Sequence, residues 1–461
     1  QRLSLIVIGA VDSGKSTTSG HLIYQRGAIP ERVMREMEKR SEAIGKHSFK
    51  YAWIMDRLRD ERERGISVEL SVWSLETNKY QMDLLDAPGH QSFLKNMASG
   101  ASLSDAALLV ISAAPGEFET GISKQGMTRQ ESLLAYACGV RQFIIAINKM
   151  DKVGYKESRY DEVKKEVSVY LKKLGVPVHR QIYIPISGWI GDNLVEHSDK
   201  MPWFTQWECC HEVGGEVIRG STLLDAVDYG LCVPRRAANA PLRIPVLKTY
   251  KITGVGTVAT GRIATGSVKP GQSLVVLPLN KKATVRSIES YHSQKLQGFA
   301  GDVIAVHLPG IAVKEVLRGA VLCETERVGK VVTCFVARVM ILNHSNVRKG
   351  ICPYVYCHTK SFVATVTSLI QKLDKSGKVV EENPKSLKSR EAALMKFTMD
   401  KPVCLDTFSA CPPLGRFVLQ VSNILIGVGV ITEVYERDPD VPVNVSSSRK
   451  SRYFRQQISL L

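Results

Sequence analysis

The sequence predicts a multidomain chain, an α/β domain built on a parallel sheet followed by two β-barrel domains. Three observations lead there. The 461 residues exceed what one ordinary core accommodates. The first half alternates short β-branched runs with amphipathic helical patterns, the rhythm of strands wrapped by helices. Beyond residue 241 the texture changes to short Val/Ile/Thr runs split by Gly and Pro.

In the first half the expected strands are Leu3–Gly9, Tyr80–Leu85, Ala106–Ser112, Arg141–Ile147 and Gln181–Ile186. The expected helices between them are Lys15–Arg26, Phe93–Gly100, Thr128–Cys138, Arg159–Leu174 and Thr222–Tyr229, several closed by Gly. A long charged insertion, Glu31 to Arg64, interrupts the pattern before the turn Arg64-Gly65-Ile66-Ser67. The stretch from Pro234 to Pro241 reads as a linker. After it come Thr257–Ile263, Gln272–Leu277, Asp302–Leu308 and Thr333–Leu342 as strand candidates. The expected domains are therefore 1–233 (α/β), 241–328 (first barrel) and 329–438 (second barrel), with 439–461 a basic C-terminal extension around Arg449-Lys450-Ser451-Arg452.

Composition narrows the function class. Hydrophobic residues at 44% and charged residues at 23% suit a folded globular chain rather than a disordered one. No apolar run approaches the roughly 18 residues that would span a bilayer, and no signal-peptide pattern precedes the first strand, so a soluble cytoplasmic protein with no membrane partner is expected. The net charge of +17 and pI near 9.4 favour polyanionic partners, nucleic acid first among them. The ten cysteines form no C-x-x-C pair: Cys209 and Cys210 are adjacent, Cys352 and Cys357 five apart, Cys404 and Cys411 seven apart. Reduced, mostly buried thiols are expected, not a zinc site.

The strongest motif is Gly9-Ala10-Val11-Asp12-Ser13-Gly14-Lys15-Ser16, a G-x-x-x-x-G-K-S loop that follows a strand and opens a helix. Glycines there let backbone amides turn towards phosphates, Lys15 reaches the terminal phosphates, and the Ser16 hydroxyl suits Mg²⁺. Thr17 is expected to add a phosphate contact and Thr18 to be an ordinary helix residue. Asp86-Ala87-Pro88-Gly89-His90 follows a second strand, where Asp86 can hold Mg²⁺ through water and the Gly89 amide can meet the terminal phosphate. Asn148-Lys149-Met150-Asp151 and Ser187-Gly188-Trp189 follow two further strands. Four loops at the carboxyl ends of successive strands form one ligand crevice, and their order points to GTP/GDP. Guanine presents two N–H donors on one edge that the Asp151 carboxylate can accept together. With adenine that carboxylate would stay unpaired at a cost on the order of 3–5 kcal/mol. Asn148 would tie the loops together, the Lys149 stem would cover the base, and Ser187 with Gly188 would meet the base carbonyl. Trp189 reads equally as a packing aromatic or as a neighbour of the base. The α/β domain is thus expected to be a P-loop GTPase domain.

The chain also resembles the elongation factor 1-alpha family of translational GTPases. The strings that carry the resemblance include Lys50-Tyr51-Ala52-Trp53, Glu61-Arg62-Glu63-Arg64-Gly65-Ile66, Lys95-Asn96-Met97, Gly116-Glu117-Phe118-Glu119 and Met201-Pro202-Trp203-Phe204. In the barrel region Gly254-Val255-Gly256-Thr257-Val258, Ile341-Leu342-Asn343-His344 and Pro412-Pro413-Leu414-Gly415-Arg416-Phe417 match too, so the similarity runs from about Leu3 to Glu436. It implies a GTP-dependent carrier of aminoacyl-tRNA with ribosome-stimulated hydrolysis and an exchange factor. It further implies that His90 is the catalytic residue, that Val11 and Ile66 form an apolar gate over the attacking water, and that Ser67 joins Ser16 and Asp86 at the metal. Actin filaments are a further partner the charge permits. The rival readings are a termination or ribosome-rescue GTPase, a sulfate-activation GTPase subunit and a filament-binding basic protein. Departures from the family pattern are Ala10 where a His is usual, Gln91-Ser92 where Arg-Asp is usual, Ser67 for Thr, and Arg449–Gln457 for a Lys-rich tail.

Overall fold

The computed structural model describes residues 1–43, 50–55, 70–89, 94–123, 126–210, 216–290, 293–342, 346–374, 376–422 and 424–437. The first domain holds a six-stranded sheet of β1 (Arg2–Ile8), β2 (Ser71–Glu76), β3 (Gln81–Asp86), β4 (Ala106–Ser112), β5 (Gln142–Asn148) and β6 (Gln181–Pro185). Its order is β2-β3-β1-β4-β5-β6, parallel except for the antiparallel edge strand β2. The central strands are continuous apolar runs because both faces are covered: β4 is buried at every residue, and β1 at all but Arg2. Helices Lys15–Gln25, Leu94–Ser102, Met127–Cys138, Glu157–Leu174 and Leu223–Asp228 supply the cover. The charged insertion contributes the helices Glu31–Ala43 and Ala52–Met55, and the latter packs against Lys15–Gln25.

Two sheet-rich, barrel-like units follow. The first is an eight-stranded antiparallel sheet whose central strands are Arg243–Ile252 and Gly256–Arg262, with a two-stranded ribbon beside it. The second is another eight-stranded antiparallel sheet, built around the long strands Val331–Ile341 and Ala392–Cys404. Its core stacks Phe335 on Phe397 at 4.8 Å, with Phe417 edge-on to both. The strand pairing of both units is antiparallel throughout.

Several joints hold the units together, three of them as follows. Asp105, 7% exposed, receives both Nη atoms of Arg236 at 2.6 and 2.7 Å, Arg262 Nη2 at 2.5 Å and the Ser4 amide at 3.0 Å. Burial alone would push this carboxyl up, but Arg262 and Arg236 outweigh it and hold it below the usual carboxylate range. The helix Met127–Cys138 packs on the second barrel's strand Arg416–Val421. The two barrels are joined by the buried ion pair Arg243–Asp406 at 3.1 Å. Among the described residues no helix is long and apolar enough to cross a membrane.

Candidate functional site

The phosphate loop begins where β1 ends. Gly14 caps the helix Lys15–Gln25 at φ +91°, a left-handed conformation that suits glycine. A Cβ on Gly14 would stand 2.3 Å from Asn148 Nδ2, so the loop closes down on the end of β5 only without a side chain there. Lys15 folds its ammonium over the loop, donating to the Gly9 and Ala10 carbonyls at 2.7 and 2.8 Å. The Ser16 hydroxyl donates to Asp86 Oδ2 at 2.6 Å, which brings the two expected metal-holding groups together. Gly89 closes the other wall: a Cβ there would lie 2.3 Å from Lys15 Nζ. Val11 is 37% exposed on the rim, and Ala10 lies against Gly121.

Asn148 knots the loops. Its Nδ2 donates to the Ser13 carbonyl at 2.8 Å, while its Oδ1 accepts the Lys149 and Gly188 amides at 2.7 and 2.8 Å. Asp151 Oδ1 accepts the Ser187 hydroxyl at 2.7 Å, so the carboxylate is aimed by the Ser187-Gly188 loop. Lys149 is in the left-handed region and pairs with Glu117 at 2.6 Å. Among the described residues, the buried hydroxyls of Ser13 and Thr18 have no hydrogen-bond partner. Those two orphaned groups, with the Lys15 ammonium and inward-turned loops, fit a phosphorylated guanine nucleotide.

The four loops thus come together, though not every side chain faces the crevice. Met150 is fully buried in the core, where it anchors the loop while its amide donates to the Ile186 carbonyl at 3.2 Å. Ala87 and Pro88 are buried in the floor. Thr18, read from sequence as an ordinary helix residue, lies against Gly188, where a Cβ would come within 2.3 Å of its hydroxyl. Trp189 is 38% exposed, edge-on to Tyr51 at 5.7 Å with Lys50 Nζ over its ring. His21 stacks on Tyr51 at 3.9 Å and donates through Nδ1 to the Gly188 carbonyl. Burial holds its imidazole below the ordinary pKa and therefore neutral. His90, Ile66 and Ser67 lie outside the described residues, as do Gln91, Ser92 and the extension 439–461.

The sequence reading missed Glu131. This residue of the helix Met127–Cys138 is fully buried, and its Oε2 accepts the Gly9 amide at 2.6 Å. Burial raises its pKa from 4.5 to about 7 against the pull of Lys15 and the Gly9 amide, with Asp86 adding to the rise. A raised carboxyl pKa favours folding while the group is protonated. The stability contributed by this group is therefore fully present below about pH 4.5 and is lost as pH rises through 7, by up to about 3 kcal/mol. Glu131→Gln keeps the acceptor for Gly9 and is expected to flatten that decline. Urea titrations between pH 5 and 8 check it, and an unchanged slope would remove Glu131 as the source.

Comparison with known proteins agrees with this geometry. Residues 1–231 match the elongation factor Tu GTP binding domain family, 256–323 elongation factor Tu domain 2, and 334–432 the GTP-eEF1A C-terminal domain-like family. Elongation factor 1-alpha of Saccharomyces cerevisiae is 43% identical over 453 residues, covering 98% of each chain. That of Stylonychia lemnae is 44% identical over 453 residues, covering 97% of this chain and 98% of its own. In fold alone, the S. cerevisiae Ski7 GTPase-like domain is similar at a TM-score of 0.75 and 17% identity, over 94% of this chain and 97% of that one. The chain belongs to the elongation factor 1-alpha family, and it is a guanine-nucleotide-binding translational GTPase acting as a translation elongation factor.

Proposed function

We propose that the chain carries aminoacyl-tRNA to the ribosomal A site as a GTP-timed switch and hydrolyses GTP when the ribosome engages. The observation that supports this most is a crowd of cations where three units meet. Arg318 of the first barrel donates to Asn96 Oδ1 at 2.8 Å and Ser99 Oγ at 2.6 Å in the first domain. Lys95 beside it is held below the ordinary lysine range by burial and by Arg318. Lys360 of the second barrel, packed where a Cβ on Gly319 would lie 2.3 Å from its Cδ, is lowered by burial and by Lys95 and Lys401. Like charges crowded at a joint are relieved by a phosphate, so this cluster suits a nucleic-acid end that touches all three units.

The switch is built from the loops around it. Lys15 leaves the Gly9 and Ala10 carbonyls for the terminal phosphates, and the backbone amides from residue 13 to 17 complete the cradle. Asp151 reads the base edge from the position Ser187 gives it, while Asn148 keeps the base loop and phosphate loop in one register. The Ser16 hydroxyl with Asp86, at 2.6 Å from each other, and the Ser67 hydroxyl would hold Mg²⁺, Asp86 through water, and the ion would supply positive charge beside the terminal phosphates. His90 orients the attacking water, and Val11 with Ile66 shields it until the ribosome engages. Loss of the terminal phosphate removes the contacts that hold the loops of Ser67 and Gly89, and the tRNA-binding arrangement relaxes.

A nucleotide enclosed by four loops leaves slowly, which calls for an exchange factor. The role implies a cytoplasmic place of action, and the +17 charge allows salt-sensitive association with actin filaments as a second activity. The test is ester protection: with GTP bound, the protein slows spontaneous deacylation of aminoacyl-tRNA, and with GDP it does not. Arg318→Ala weakens that protection and lowers its salt dependence. Equal protection by both nucleotide forms would sink the carrier reading and favour a rescue-type factor.

A further inference from the structure

Two thiols from different barrels meet at the joint between them. Cys323 lies in the first barrel's strand Val321–Glu324, and Cys404 ends the second barrel's strand Ala392–Cys404. Both are fully buried, in one cluster with Val275, Leu277, Cys411 and Leu414. Gly329, in the connection between the barrels, runs against both: a Cβ there would stand 3.2 Å from each sulfur and 3.3 Å from Arg243 Nε. Both sulfurs thus face one point beside Gly329, and the Cys323 thiol donates to the Val321 carbonyl at 3.9 Å. Arg243, paired with Asp406 at 3.1 Å, supplies the nearby positive charge.

This surrounding makes the pair unequal. The Cys404 thiol beside it, joined by the pull of Arg243 and the Gly329 amide, holds Cys323 below the ordinary thiol range despite its burial and despite Asp406. The neighbouring Cys323, together with burial, pushes Cys404 well above that range. Other buried thiols, such as Cys138 and Cys411, are raised by burial and suit inert packing. Two buried sulfurs from different barrels that face the same glycine Cα are placed to couple when the joint moves.

We propose that Cys323 and Cys404 form a reversible disulfide between the two barrels when the protein meets a small hydroperoxide. The Cys323 thiolate attacks a peroxide oxygen. The O–O bond breaks, a sulfenic acid forms on Cys323, and the leaving oxygen takes up a proton. The Cys404 sulfur then attacks the Cys323 sulfur, the S–O bond breaks, and water leaves with the Cys404 proton. Two thiols and one hydroperoxide thus give one disulfide, one water and the hydroperoxide's alcohol, which is a second water when hydrogen peroxide is the oxidant, a two-electron oxidation of the pair. The crosslink closes a loop of about 80 residues and fixes the barrel joint, while a dithiol reductant reopens it. Because both sulfurs are buried, oxidation proceeds as the joint opens, and its rate reports that opening.

The test uses the full chain treated with hydrogen peroxide, alkylated after denaturation and digested without reductant for mass spectrometry. The expected result is a linked peptide pair containing Cys323 and Cys404, two hydrogens lighter than the separate peptides and lost on treatment with dithiothreitol. Cys323→Ser abolishes it, whereas Cys352→Ser at an exposed position leaves it intact. Recovery of both residues as alkylated thiols, under conditions that oxidise the exposed Cys232 and Cys352, would overturn the proposal. A Cys404–Cys411 link would do the same. If Cys323→Ser fails to fold, thermal unfolding of the native chain still decides: the oxidised form melts higher, reversibly, and identical midpoints contradict a locked joint.

Discussion

Asp151→Asn is expected to lower GTP affinity by roughly 10²- to 10³-fold and to raise affinity for xanthosine triphosphate, because the proposed base reader is this one carboxylate. Ser187 fixes the Asp151 carboxylate through a 2.7 Å hydrogen bond, and Asn148 fixes the loop that carries Ser187 through the Gly188 amide. The reader is therefore rigid before any base arrives. Guanine donates to it from two N–H groups, each a charge-assisted hydrogen bond of about 1.5–3 kcal/mol. Asparagine loses the charge and turns a donor towards one of those N–H groups. Xanthine replaces the exocyclic amine by a carbonyl, and the new amide donor then finds a partner. Titrating both nucleotides against the variant measures the exchange, and undiminished GTP affinity would mean that another group reads the base.

How much of this was legible in the sequence differs between the loops and the joints. The nucleotide loops are short contiguous strings that follow strands, and a strand buried on both faces announces itself as an unbroken apolar run, as β4 does. The edge strand Ser71–Glu76 is only half-buried, and its mixed serines gave no comparable signal. The helix Glu117–Ile122 was missed because six residues are too few to establish a helical period. Helix ends moved by a residue or two, as at Glu157, where the first turn is polar and exposed. Glu131, Asp105 and Cys323 were out of reach for a different reason. Each owes its character to residues far away in the chain: Gly9 for Glu131, Arg236 and Arg262 for Asp105, Cys404 for Cys323. A buried carboxylate on an amphipathic helix looks like any surface glutamate until its neighbours are known.

His90→Ala is expected to cut ribosome-stimulated GTP hydrolysis by roughly 10³-fold while leaving GTP and aminoacyl-tRNA binding within a few-fold of normal. The argument starts from Gly89, whose absent Cβ leaves room for Lys15 Nζ at 2.3 Å, so this end of the loop lies beside the ammonium that holds the terminal phosphate. His90 is the next residue in the chain. Asp86, three residues before Gly89, accepts the Ser16 hydroxyl at 2.6 Å, and Glu131 Oε2 accepts the Gly9 amide. The group proposed to orient the attacking water is the imidazole of His90. On that proposal alanine removes the water-orienting group and leaves Lys15, Ser16, Asn148 and Asp151 in place, so binding and chemistry are expected to separate. Single-turnover hydrolysis on programmed ribosomes, set beside equilibrium binding of GTP, measures the separation. A variant that hydrolyses at a near-normal rate would take His90 out of the mechanism, whereas loss of binding in step with the rate would make it a structural part of the pocket.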